Sequence, residues 1–117
     1  MLLDKSGKLV KSLDFRGTKI EYLDRLTAKE LFLIMTAAQQ SVNLKESFKA
    51  KDLAPKNWKG TIYEPIANAC KDDKNYADRL FGVIIKQALI MTPLLFRQAS
   101  SDNEFEATTY IRESLEY

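Results

Sequence analysis

The sequence contains no histidine. That removes the side chain most often used as a general base near neutral pH, and the commonest zinc ligand. Ser-His-Asp and Cys-His catalytic arrangements are therefore excluded. A single cysteine, Cys70, leaves no disulfide within the chain, and its apolar setting, "IANAC", reads as a small buried residue. With only three prolines and four glycines, no linker or collagen-like segment is expected. Long apolar runs are also missing: "LFLIM" and "ALIM" fall far short of the roughly 20 residues that span a bilayer. In the opening "MLLDKSGKLVK", Asp4 and Lys5 interrupt the stretch that a signal peptide would need to keep apolar. The expectation is a cytoplasmic protein without cofactor or metal. The sixteen carboxylates form no recognisable catalytic motif, so it is not expected to be an enzyme.

What is present fits one globular domain. The chain has 117 residues, 45% hydrophobic and 29% charged, with no internal repeat or low-complexity run. The net charge of +2 is unevenly spread. Residues 27–60 hold six basic and three acidic side chains, whereas residues 91–117 hold two basic and five acidic ones. The basic half suits a polyanion; scattered lysines that keep a small domain soluble account for it equally well.

The clearest helix lies in "LTAKELFLIMTAAQQSV", over 27–42. Thr27 and Glu30 have capping-box spacing, and Leu26 and Leu31 are placed as a hydrophobic staple. Leu31, Ile34, Met35, Ala38 and Val42 recur at helical spacing, with Phe32 and Leu33 expected to widen the buried face. Asn43 is a stop. "ESFKAKD" alternates and predicts a short edge strand over 48–51 with Lys49 and Lys51 outward. "DLAPKNWKG" follows as a loop or a single helical turn.

Two more helices come next. The first spans about 62–71; Pro65 belongs in its first turn, and Ile66, Ala67 and Cys70 share a face. The second spans about 74–91, capped by Asp72, Asp73 or Asn75. Its buried stripe is Ala77, Leu80, Phe81, Ile84, Ala88 and Leu89, with Asn75, Asp78, Arg79, Gly82 and Lys86 on the other side. Gly82 either admits a close approach by another element or is neutral. Pro93 ends this helix, and two strands follow at 94–98 and 105–111, joined by the polar "ASSDNE". Before residue 27, a turn at Lys5-Ser6-Gly7 separates short apolar pieces, and 13–22 reads as a hairpin or as a strand feeding the first helix.

The predicted class is α+β: three main helices, a C-terminal β-hairpin and an extension over 1–26 ahead of a domain over 27–117. The order helix, strand, helix, helix, strand, strand over roughly 27–112 resembles the winged helix-turn-helix superfamily. That resemblance implies a DNA-binding, transcription-regulator-like protein. The helix from Lys74 becomes the recognition helix, with Asn75 reading an adenine edge and Arg79 a guanine edge. Lys56, Lys59, Lys74 and Lys86 become phosphate contacts, Trp58 either flanks a sugar or packs inward, and Arg97 stands in the wing with Ser100, Ser101 and Asn103. The alternative is a protein-interaction or adaptor module of the same shape. It is supported by Asp102, Glu104 and Glu106 in the wing, by Asp72, Asp73 and Asp78 at the recognition helix, and by Tyr63, Tyr76 and Tyr110 as exposed aromatics. A homodimer through the long helices is compatible with either.

Overall fold

Two long helices and one small sheet enclose the core of the computed structural model. The structure describes residues 1–12, 24–71, 73–99 and 109–113, and the side chains of Lys51 and Lys74 lie outside that description. The expected hairpin or strand at 13–22, and the wing loop with Ser100, Ser101, Asp102, Asn103, Glu104 and Glu106, fall outside the described residues.

Helix α1 runs Ala28–Asn43. Its start is the predicted capping box: the Glu30 amide donates to Thr27 Oγ1 at 3.1 Å, and the Thr27 amide donates to Glu30 Oε1 at 2.9 Å. Ile34, Ala38 and Val42 are fully buried, while Leu31 and Met35 are half-buried at the margin. Phe32 and Leu33 do not widen that face. Both are exposed, because at 100° per residue they turn away from the 34–38–42 stripe, and the core covers α1 on one side only.

Strand β3 (Ser47–Lys49) is shorter than predicted, since Ala50 already begins a one-turn helix, α2 (Ala50–Leu53). Helix α3 (Glu64–Ala69) starts at Glu64 with Pro65 in its first turn, where a missing N–H costs nothing. Helix α4 (Lys74–Met91) is capped by Asp73, whose Oδ1 accepts from the amides of Asn75 (3.0 Å) and Tyr76 (3.3 Å). Its buried stripe contains every predicted member and also Ile85. Phe81 lies at its centre, with the rings of Tyr63 and Trp58 edge-on to it at 5.0 and 5.7 Å. Trp58 thus packs inward.

Strands β1 (Leu2–Leu3), β2 (Leu9–Val10), β3, β4 (Phe96–Gln98) and β5 (Thr109–Arg112) form one sheet in the order β2-β1-β4-β5-β3. β4 and β5 pair antiparallel and β5 pairs antiparallel with β3, whereas β1 lies parallel to β4 with Leu2 opposite Phe96. The β1–β2 turn is held by Asp4: its Oδ1 accepts from the amides of Ser6 and Lys8, and the carboxyl is kept below its usual range first by the Ser6 hydroxyl bond. Gly7, at φ +86°, supplies the left-handed step of that turn. Leu2, Phe48, Phe96 and Tyr110 are buried from the sheet, with Phe48 in ring contact with both Phe96 and Tyr110.

One polar knot ties the helix ends to the sheet. Thr92 Oγ1, buried at the end of α4, donates to Asn43 Oδ1 at 2.6 Å, and the Arg112 guanidinium donates to the Asn43 carbonyl. Arg112 therefore supplies a cation at the C-terminus of α1, whose own last turn has none. Among the described residues, no helix is long and apolar enough to cross a membrane.

Candidate nucleic-acid interface

The turn between α3 and α4 is tight. The Cys70 amide donates to the Ile66 carbonyl at 3.1 Å, the Lys71 amide to Asn68 at 3.1 Å, and the Asp73 amide to Cys70 at 3.0 Å. Lys71 takes a left-handed conformation, φ +53°, which costs a non-glycine residue about 1 kcal/mol and is the usual way to reverse a chain after a helix. Arg25 fastens the same corner from outside, donating to the Ala69 carbonyl at 2.7 Å. Burial pushes the Cys70 thiol up; Arg25 opposes that and Asp73 adds to it. The thiol is thus held in the protonated form that makes a poor nucleophile.

The turn sets the outward face of α4. Asn75 and Arg79 are one helical turn apart and both exposed, and Gly82 and Lys86 continue the stripe, half-exposed. Arg79 lies over the Tyr76 ring, 5.9 Å from its centre, a cation–π arrangement, and stays exposed. Asp78 is exposed beside it. Asp73, also exposed, is engaged by the two amides of the helix start, which offset part of its charge.

Lys56 and Lys59 join this end of α4. They line a cavity of about 340 Å³ together with Trp58, the carboxylate Glu64 and Asn68 of α3, and Ala77 of α4. Both lysines are exposed and, among the described residues, neither meets a carboxylate. The indole N–H of Trp58 is buried without an acceptor among the described residues. Lys56 and Lys59 thus flank the first turn of α4 on its Ala77 side, whereas Asn75 and Arg79 lie about 160° around the helix from Ala77. Lys74 opens α4 at the same end, and Asp72 lies outside the described residues.

Two predicted site residues stand apart. Lys86 is seven residues beyond Arg79, about 10 Å further along the axis. Arg97 is in β4, with its Nε donating to Glu113 Oε1 in a half-exposed ion pair, so its charge is already matched. The aromatics expected on the surface are mostly inside: Tyr63 and Tyr110 are buried and Tyr76 is half-buried. Their hydrophobic neighbours Phe81 and Phe48 claim them, a pairing between distant segments that helical or strand periodicity does not reveal. Among the described residues the exposed aromatic is Phe32, expected from the sequence on the buried face. No group of three or more Cys, Asp or Glu side chains that could hold a metal occurs among the described residues. No family model, no curated protein and no solved structure matches this chain.

Proposed function

We propose that the protein is a small, winged-helix-like DNA-binding protein of the cytoplasm that presents the start of α4 to the major groove. One observation carries this reading: Asn75 and Arg79 project from the exposed stripe of a helix that follows a tight turn, and Lys56 and Lys59 flank the same helix start on its Ala77 side. The pairing β4–β5–β3 behind the order α1, β3, α3, α4, with the one-turn α2 inserted after β3, supports it. In this reading Arg79 and Asn75 meet base edges, the lysines meet phosphates, and the protein is a binder, not an enzyme. With three or four phosphate contacts, log K against log salt for a mixed-sequence duplex falls with a slope of about −3. Arg79→Ala weakens binding while the circular dichroism spectrum and melting temperature stay unchanged. A salt-independent signal, or binding that survives Arg79→Ala intact, overturns the reading.

A second reading, a protein-interaction module of the same shape, draws on the apolar residues that α1 leaves exposed and on the matched charge of Arg97. It predicts no salt-dependent binding to duplex DNA.

A further inference from the structure

The outer face of α1 is unlike a solvated helix surface. Residues 31–44 contain no charged side chain. Spacing places Lys29, Phe32, Leu33, Thr36, Gln40 and Leu44 along one stripe, and all six are exposed. Phe32 is 69% exposed, Leu33 41% and Leu44 83%. An uncharged strip with an aromatic anchor and few polar groups is the composition found at the centre of protein interfaces. This stripe points away from α4, since α1 packs on α4 through Ile34, Ala38 and Val42.

Charge appears only at the two ends of the strip: Lys29 and Glu30 at the start, Lys45 and Glu46 just past the end. Lys29, Lys45 and Glu46 are exposed, and among the described residues Lys29 and Glu46 have no ion-pair partner. Laid antiparallel on itself, the strip brings Lys29 of each copy to Glu46 of the other and Glu30 to Lys45. Laid parallel, it sets like charges together. A two-fold axis duplicates every such contact, so the antiparallel arrangement gains each pairing twice. The midpoint of these pairings lies between Ala37 and Ala38, where Thr36 and Ala37 are small side chains that let two helices approach, and Phe32 then covers the uncharged Gln40–Leu44 end of the second copy.

We propose that the uncharged face of α1 docks a second copy of this chain, antiparallel, to form a two-fold dimer. A helix of 16 residues is about 24 Å long and offers less than the roughly 800 Å² per partner of a standard interface. The dimer is therefore weak and reversible.

Sedimentation equilibrium of the full chain from about 5 to 500 μM tests this. The average mass rises with concentration from 13.4 kDa toward twice that value. Phe32→Asp, at an exposed position, keeps the melting temperature and weakens association at least tenfold. Lys29→Glu weakens it severalfold, and the double variant Lys29→Glu with Glu46→Lys restores it, because each new charge again meets its opposite. A mass that stays at the monomer value throughout overturns the proposal. So does association that Phe32→Asp leaves untouched, or a charge-swap variant that fails to recover.

Discussion

Helices α1 and α4 do the same work inward and opposite work outward. Each buries an aliphatic stripe against the other and the sheet: Ile34, Ala38 and Val42 from α1, and Leu80, Ile84 and Leu89 among others from α4. Outward, α4 shows Asn75, Asp78 and Arg79, whereas α1 shows Phe32, Leu33, Thr36 and Gln40. A surface helix normally keeps charge on its solvent side. α4 follows that rule with groups suited to a polar partner, and α1 departs from it along its whole middle. The contrast is what the two proposals draw on: a polyanion at α4 and a second copy of the chain at α1.

The comparison breaks most sharply in the core, where the two helices are not equals. Phe81 on α4 holds the rings of Tyr63 and Trp58, so Phe81→Ala should cost about 3–5 kcal/mol in urea unfolding. Ile34→Ala on α1 removes a smaller side chain without ring partners, and about 2–4 kcal/mol is expected. Equal losses would mean that α4 is not the organising helix.

The helix starts give a finer test. Thr27→Ala removes the donor–acceptor exchange with Glu30, and Asp73→Ala removes two accepted amide bonds. Each should cost about 1 kcal/mol in the same measurement. Asp73→Ala should also tighten any DNA binding, because a carboxylate leaves the candidate interface, while Thr27→Ala leaves it unchanged. The smallest effect has the opposite sign. A methyl group added at Gly82 meets no atom within 4 Å, so Gly82→Ala should stabilise the fold by about 0.5–1 kcal/mol. A loss of stability there would show that something approaches α4 closely on its outer side.

Much of the fold was legible in the chain because the signals were local. The capping box at Thr27 and Glu30, the Asp73 cap, the Pro65 start and the stop before Pro93 are each set by one to four neighbouring residues. The α4 stripe followed from its period alone. The candidate site was legible in part: Asn75 and Arg79 were placed outward by spacing, but nothing in spacing put Lys56 and Lys59 beside Ala77 at the same helix start or tied Arg97 to Glu113, 16 residues away. Gly82 could be read either way until its surroundings were known.

Sequence alone determined the class, the helices and their caps, since these depend on backbone hydrogen bonds and periodicity within a few residues. Tertiary structure decided which apolar residues were used. Phe32 and Leu33 looked like core and are surface; Tyr63 and Tyr110 looked like surface and are core. Hydrophobicity states what burial would gain, but burial needs a partner, and partners come from distant segments. It also decided that Leu2 shares a sheet with Phe96, a parallel pairing between strands more than 90 residues apart, for which no local pattern exists.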